Sequence, residues 1–169
     1  SFEPLTEERI ETDSTYDAGT TTQLMWGARS DVGCVRPHNE DSYLVQSPLF
    51  CVCDGMGGHA AGEVASSIAV ETIAKTAPQS ADAARLAAAV EAAVIEAALN
   101  GLGKPGMGCT ATCAYIENDT LAIAHVGDSR AYLLHEGTLI RVTRDHSYVE
   151  ELVDAGEITA DEARVHPNR

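Results

Sequence analysis

The sequence has few basic residues, no long apolar run and no secretory leader pattern. Lys and Arg number 11 against 26 Asp and Glu among 169 residues, which gives a formal net charge of −15 at pH 7. A surface this acidic repels nucleic acid and anionic membranes, so cations are its natural counterpart. No apolar stretch approaches the ~20 residues that a membrane-spanning helix needs, and the N-terminus lacks a basic segment followed by an apolar one. We therefore predict a cytoplasmic protein with no membrane span in this chain.

The cysteines also lack a pattern that would give them a special role. There are five, an odd number, and none forms a CxxC pair. A disulfide framework and a zinc knuckle are therefore not indicated. The better interpretation is reduced, buried thiols, with Cys51, Cys53, Cys109 and Cys113 at alternating strand positions as small core residues.

Ordinary amounts of apolar and charged residues indicate one folded domain. Hydrophobic residues make up 44% and charged residues 22% of the chain, close to average globular usage. Residues 1–21 combine acids with Ser and Thr without apolar periodicity, so we predict a mobile acidic lead-in there. Residues 22–169 then form the domain.

Hydrophobic periodicity predicts short strands, two amphipathic helices and then more strands. Alternation or short apolar runs mark strands at residues 23–28, 43–45, 49–54, 110–116, 120–126, 129–135 and 138–142. A 3.6-residue apolar period marks helices at residues 59–75 and 80–100, with Ser80 as the N-cap of the second. The last four strands are joined by links so short that they permit antiparallel pairing only, which predicts a meander. Capping boxes at Ser147 and Thr159 predict two short helices near the end of an α+β fold.

Acidic residues stand at the ends of three predicted strands. Glu40 and Asp41 enter one strand, Asp54 ends another, and Asp128 lies in the turn between two. Strand ends lie at the rim of a sheet, where carboxylates from distant parts of the chain can meet, and their pKa values rise unless a cation neutralises them. Ligation by oxygen alone selects hard ions such as Mg²⁺ or Mn²⁺. Taken singly, each acid is more readily explained as a local cap of its turn.

Residues suited to phosphate chemistry stand near these acids. Arg36, a few residues before Asp41, offers a planar fork that matches phosphate oxygens. His59 stands at the start of a predicted helix, where an imidazole can donate a proton to a leaving oxygen. Between Asp54 and His59, a run of glycines lets the backbone approach a ligand and present a carbonyl to a metal. For Arg36 and His59 the alternative is an ordinary exposed position without a functional partner.

Six short motifs occur in the order that is found in one enzyme family. They are Arg36-Pro37-His38-Asn39-Glu40-Asp41; Asp54-Gly55-Met56-Gly57-Gly58-His59 with Gly62-Glu63; Gly108-Cys109-Thr110; His125-Val126-Gly127-Asp128-Ser129-Arg130; Asp145-His146-Ser147; and His166-Pro167-Asn168-Arg169. With these motifs the chain resembles a bacterial-type member of the protein phosphatase 2C (PPM) family, the metal-dependent serine/threonine phosphatases. The resemblance runs from about Gln23 to the last residue. A single motif of this kind is weak evidence, whereas six in register are specific.

The resemblance implies a fold and a metal centre. The implied fold is a sandwich of two antiparallel β-sheets flanked by α-helices, with a binuclear Mn²⁺ or Mg²⁺ centre at one end. By motif position, Asp54 would bridge the two ions and the Gly55 carbonyl would ligate one of them. Asp41, with Glu40 beside it, would hold metal-bound waters, and Asp128 would belong to a third, weaker ion site.

The resemblance also implies a reaction and its catalytic residues. The reaction is hydrolysis of phosphoserine or phosphothreonine in proteins, the products of Ser/Thr kinases, by a metal-activated water. Arg36 would hold the substrate phosphate, and His59 would act as general acid toward the departing Ser or Thr oxygen. Asp54 would serve catalysis through the ions that it bridges.

The sequence departs from the family pattern on its C-terminal side. Family members continue past the segment that matches residues 145–169, a flap-like insertion, into strands that carry Ser-Asp-Gly and Asp-Asn motifs. Because this chain lacks those motifs, we expect an incomplete sandwich and little hydrolysis by the 169-residue chain alone. The alternative is a phosphatase-like domain that acts as a non-catalytic binding or regulatory module. A generic acidic cation-binding protein is a third interpretation, but the D-x-[DN]-x-[DN]-G loop of calcium sensors is missing.

Overall fold

In the computed structural model the two helices follow each other between two runs of strands, as in an α+β protein. The structure describes residues 14–58, 61–99 and 107–153, with side chains as far as residue 145. Its strands are β1 (Ser14–Thr20), β2 (Met25–Asp31), β3 (Asp41–Gln46), β4 (Leu49–Met56), β5 (Gly108–Cys109), β6 (Ala111–Glu117), β7 (Thr120–Gly127), β8 (Tyr132–His135), β9 (Thr138–Arg141) and β10 (His146–Val153). Its helices are α1 (Ala61–Thr76) and α2 (Ala83–Leu99). Neither of these two helices is long and apolar enough to cross a membrane.

One antiparallel sheet forms the centre of the fold. Its strands lie in the order β10-β7-β6-β4-β3, and the short β5 pairs with the end of β4. Along β4, Leu49, Cys51 and Cys53 are buried, whereas the residues between them are more exposed. Successive side chains of a strand point to opposite faces, so one face of β4 meets the main core and the other faces away from it.

Both helices cover the same face of this sheet. In α1, Ala65, Ala69 and Ile73 are fully buried at a spacing of four residues, and Leu86 and Val90 are fully buried in α2. These residues belong to one apolar cluster with the inward side chains of β4, β6 and β7. Burying a Leu, Ile or Val side chain stabilises a fold by roughly 1.5–3 kcal/mol. The predicted helical periods are therefore confirmed within the described residues.

The N-cap of α2 differs from the predicted one. Asp82 directly precedes the helix, and its Oδ1 accepts a hydrogen bond from the Arg85 N–H at 3.0 Å. The Asp82 carbonyl accepts the Leu86 N–H at 2.9 Å and so begins the helical ladder. The prediction of Ser80 as N-cap was wrong, because a cap must adjoin the first turn to reach its free N–H groups.

Two small sheets, β1-β2 and β8-β9, are paired separately from the main sheet, and each has residues that contact main-sheet side chains outside the helix-covered core. The Trp26 ring of β2 contacts the Phe50 ring of β4, with centroids 5.9 Å apart. From β9 and the residues after it, Ile140 and Val142 pack in a second cluster with Ile123 of β7. The described residues thus form helical, central and outer layers, with helices on one side only. The predicted α+β class with antiparallel sheets is confirmed.

The structure departs from the predicted order of elements at three places. Strand β1 lies within residues 1–21, where no regular structure was expected, and it pairs with β2 along its whole length. The predicted meander stops at β7, because β8 pairs with β9 and β7 pairs with β10 instead. Strand β10 occupies the segment where the Ser147 capping box predicted a helix. The helix predicted at Thr159 and residues 1–13 lie outside the described residues.

Candidate functional site

Two of the predicted metal ligands lie opposite each other at one edge of the main sheet. Asp41 is the first residue of β3, and the antiparallel register pairs it with Asp54 near the end of β4. Directly paired residues of antiparallel strands project from the same face, with Cβ atoms about 4.5–5.5 Å apart. The hairpin of β3 and β4 therefore brings the two carboxyl groups to one place.

The surroundings of Asp41 favour the protonated form of its carboxyl. Partial burial raises the pKa of Asp41 from 3.8 to about 6, and Asp54 adds to the rise through charge repulsion and a hydrogen bond with Asp41. The positive charge of Arg36, which is exposed in the loop before β3, acts in the opposite direction. A bound cation relieves such repulsion. The oxygen donors of this pair fit a hard divalent ion.

The backbone beside Asp54 is packed too closely to admit side chains. The Gly55 N–H donates to the Glu40 carbonyl at 3.0 Å, and a Cβ on Gly55 would overlap the carbonyl of Gly62. In turn, a Cβ on Gly62 would overlap the carboxylate of Glu40. Glycine at both positions thus lets β4 meet the first turn of α1. It also leaves the Glu40 carboxylate near a helix N-terminus, where the helix dipole favours negative charge.

The side chain of Asn39 fixes the entry into β3. Its Oδ1 accepts the Asp41 N–H at 3.0 Å, and its Nδ2 donates to Ser30 Oγ at 2.8 Å. The first residue of β3 is therefore tied to β2 as well as to β4. Asn39 belongs to the first of the six motifs, but its spacing gave no sign of this bridging role.

A small cavity opens beside the Asp41–Asp54 pair. It has a volume of about 230 Å³ and is lined by residues of β2, β3, β4 and the turn after β7. These are Arg29, Ser30, Asp31, Asp41, Ser42, Tyr43, Val52, Cys53, Asp54 and Ser129. The sequence gave no reason to single out Ser30 or Ser42, because isolated hydroxyl groups carry no spacing signal. Ser129 belongs to the fourth motif, but the motif gave it no role.

Not every predicted site residue joins the pair. Asp128 is exposed in the turn after β7, although its neighbour Ser129 lines the cavity. Within the part of the chain whose side chains are described, no three His, Cys, Asp or Glu residues are grouped as a metal site requires. His59 lies outside the described residues. The structure therefore unites Asp41 with Asp54 and leaves Asp128 in the adjacent turn.

A buried histidine anchors this turn. His125 is 1% exposed, and its two ring nitrogens lie 2.6 Å from Thr112 Oγ1 and 2.9 Å from the Gly127 carbonyl oxygen. The Nε2–H therefore donates to Gly127, while Nδ1 accepts the Thr112 hydroxyl. Burial lowers the pKa of His125 although the bond to Gly127 opposes this. His125 therefore joins β6 to the end of β7 and has a structural role.

Comparison of the chain with known proteins identifies one family. A profile described as protein phosphatase 2C matches residues 25–152. The serine/threonine protein phosphatase PstP of Mycobacterium tuberculosis is 43% identical over 158 residues, which cover 90% of this chain and 31% of that protein. The serine/threonine phosphatase stp of Listeria welshimeri is 38% identical over 156 residues, which cover 83% of this chain and 62% of that protein. The chain thus spans less than two thirds of the length of either relative.

Solved phosphatase structures share the fold. The crystal structure of Mycobacterium tuberculosis PstP/Ppp superposes with a TM-score of 0.62 at 38% identity, over 79% of this chain and 55% of that one. The catalytic domain of PstP in complex with two manganese ions also gives a TM-score of 0.62, over 79% and 56% of the two chains. Because the family profile matches more than half of the sequence and relatives of high identity agree with it, this chain belongs to the protein phosphatase 2C family.

Proposed function

We propose that the protein hydrolyses phosphoserine and phosphothreonine in proteins with the help of divalent cations. The observation that carries this proposal is the Asp41–Asp54 pair, two carboxyls held opposite each other at a sheet edge that opens into a cavity. Membership of the protein phosphatase 2C family supports the reaction class. The proposed hydrolysis applies to the full-length protein, because the chain covers 31% and 62% of the lengths of the two relatives described above.

The residues at this edge offer oxygen ligands of the kind that Mn²⁺ and Mg²⁺ prefer. Asp54 and the Gly55 carbonyl would hold the two ions of a binuclear centre, and Asp41 with Glu40 would hold the waters around them. We assign Asp128 to a third ion. When bound, such ions lower the pKa of a water molecule and neutralise charge that develops on the phosphoryl oxygens. The complex of PstP with two manganese ions supports the choice of Mn²⁺ and of a pair.

Two further side chains act on the substrate in this proposal. Arg36 is exposed close enough to Asp41 for its charge to act on that carboxyl, and its planar fork suits two oxygens of a phosphoryl group. His59 donates a proton to the Ser or Thr oxygen as the P–O bond breaks, so that the protein leaves as a neutral alcohol. The hydroxyl so formed is that of the original, unphosphorylated side chain.

The substrates are the phosphorylated products of a Ser/Thr kinase, and the protein acts in cytoplasmic signalling. The names of the relatives support a protein substrate. The net charge of −15 disfavours acidic phosphopeptides away from bound cations. A phosphothreonine peptide without flanking acids is accordingly the best first substrate.

Hydrolysis of such a peptide by the full-length protein with Mn²⁺ tests the proposal. Asp54→Asn keeps the shape of the side chain but removes its charge, and we expect the rate to fall on the order of 100-fold or more. Asp119→Asn is the matched control, because it removes one exposed carboxylate from the β6–β7 turn at the other end of the sheet. Equal rates for wild type and Asp54→Asn contradict the assigned centre. Tight Mn²⁺ binding without hydrolysis favours the non-catalytic binding or regulatory module.

A further inference from the structure

Thr110 lies between the strand that carries Asp54 and the turn that carries Asp128. It separates β5 from β6, and its side chain is 3% exposed. The register of β4 with β5 and β6 places Thr110 opposite Asp54. A buried hydroxyl normally makes every hydrogen bond that its surroundings allow. The partners of this hydroxyl therefore show what the residue holds together.

The first partner is the backbone of Asp54. The Thr110 N–H donates to the Asp54 carbonyl at 2.9 Å, and the Asp54 N–H donates to Thr110 Oγ1 at 3.2 Å. The threonine side chain thus takes the place that a strand carbonyl occupies in a regular antiparallel ladder. Backbone and side chain together fix the position of Asp54 at the end of β4.

The second set of partners flanks Asp128 on both sides. Thr110 Oγ1 and Ser129 Oγ are 2.8 Å apart, and either hydroxyl can supply the proton of this bond. The methyl group of Thr110 lies against Gly127, where an added Cβ would overlap it and where φ is +109°. Only glycine adopts that backbone conformation easily. Both neighbours of Asp128 are therefore held by the same threonine side chain.

We propose that Thr110 is a positioning residue of the candidate metal centre, because its side chain holds the Gly127–Ser129 turn against the end of β4. This inference rests on the proposed function, since it assumes that Asp54 and Asp128 bind cations. The hydroxyl and the methyl group of Thr110 have different partners. Substitutions that remove one group but keep the other can therefore test them separately. Loss of the hydroxyl removes the acceptor of the part-buried Asp54 N–H bond and the partner of Ser129 Oγ.

The test is calorimetric titration of the full-length protein with Mn²⁺, together with urea unfolding of each variant. Thr110→Val keeps the shape but removes the hydroxyl, and we expect Mn²⁺ affinity to fall about tenfold or more, as for other residues that support metal ligands. Thr110→Ser restores the hydroxyl and most of the affinity. Ser129→Ala removes the bond to Thr110 Oγ1 from the less buried partner, and we expect it to weaken Mn²⁺ binding as well. This variant decides the question if Thr110→Val does not fold.

Thr143→Val is the matched control. Thr143 is also a buried threonine, 2% exposed, whose Oγ1 accepts a backbone N–H, but its partner is Ala131. We expect this variant to lose stability while binding Mn²⁺ as the wild type does. The positioning role is overturned if Thr143→Val loses as much Mn²⁺ affinity as Thr110→Val. It is also overturned if folded Thr110→Val and Ser129→Ala both bind Mn²⁺ as tightly as the wild type.

Asp54→Asn separates failure of the inference from failure of the proposed function. If Asp54→Asn abolishes Mn²⁺ binding and folded Thr110→Val does not weaken it, only the role of Thr110 is wrong. If Asp54→Asn binds Mn²⁺ as tightly as the wild type, or the wild type does not bind it, the metal centre is wrong and the inference falls with it.

Discussion

The carboxyl of Asp41 ionises less readily in the folded protein than in an unfolded chain. Burial and the neighbouring Asp54 raise its pKa from 3.8 to about 6. The folded state therefore holds the proton more tightly, and the stability that this group contributes is fully present below pH 3.8 and is lost as the pH rises to about 6. Without a cation at neutral pH, the ionised pair lowers the free energy of unfolding.

We predict that Asp41→Asn stabilises the metal-free protein at neutral pH. The amide cannot ionise, so both repulsion and desolvation of a charge are removed. Because solvent still reaches this side chain and screens it, we expect a gain of about 1 kcal/mol in the free energy of unfolding. Urea unfolding with a chelator at about pH 7.5 and about pH 4.5 measures the gain, which shrinks at the lower pH. A variant less stable than the wild type at neutral pH contradicts this account.

The cysteines divide into one accessible and four inaccessible thiols. Cys34 is exposed, which corrects the prediction that all five are buried, whereas the four predicted core cysteines are buried. Hydrogen bonding to Cys113 and burial raise the pKa of Cys51. A hydrogen bond to Cys53 and burial raise the pKa of Cys109. Thiols without solvent access or thiolate character are inert.

An aromatic disulfide reagent therefore reacts with a single thiol in the native protein. We predict one thiol per chain in native conditions and five after unfolding, followed by absorbance. Cys34→Ser is the control. We expect no reaction of this variant in native conditions and four reactive thiols after unfolding. Rapid native reaction in Cys34→Ser would show that the core between β4 and β6 opens readily.

Helix α2 depends on a cap that sequence patterns place two residues too early. We predict that Asp82→Ala lowers the free energy of unfolding by about 1 kcal/mol, because the Arg85 N–H loses its acceptor. Ser80→Ala is the matched control and has little effect, since Ser80 does not adjoin the helix that begins at Ala83. Chemical unfolding of the two variants measures both changes. The reverse ranking contradicts the cap that the structure assigns.

Elements with strong periodicity could be predicted, and elements that depend on a partner strand could not. The periods of α1 and α2 reflect one buried face, so the sequence alone reveals them. Strand β1 is held by pairing with β2, and main-chain hydrogen bonds of this kind leave no apolar pattern. Ser147 fits a capping box, yet its segment pairs along the edge of β7. Pairing with an available sheet edge overrides a local helix signal there.

The turn after β7 shows where spacing stops being informative. Short links in the sequence predicted that β8 would return beside β7. Instead, the Val142 N–H donates to the Ala131 carbonyl and the Ala131 N–H donates to Thr143 Oγ1, so the chain leaves the main sheet for the second cluster. The direction that Asp128 takes depends on these distant contacts. The structure places Asp128 in an exposed turn next to the cavity, and its role at a third ion stays a prediction.

The whole molecule concentrates part of its acidic charge at one sheet edge. The meeting of Asp41 and Asp54 could be predicted from acids at strand ends, because the antiparallel register makes it unavoidable. The supporting contacts of Asn39, Thr110 and Ser129 could not, because single polar residues carry no periodic signal. Charge repulsion at this edge lowers the free energy of unfolding, and a bound cation would raise it.

The stability of the full-length protein in Mn²⁺ tests this central claim most directly. A ligand that binds only the folded state raises the free energy of unfolding by about 2.7 kcal/mol at 100 times its dissociation constant. We predict that saturating Mn²⁺ raises the melting temperature of the wild type and of Asp119→Asn equally, and leaves that of Asp54→Asn unchanged. The same rise in Asp54→Asn as in the wild type would show that Mn²⁺ binds elsewhere and would contradict the account.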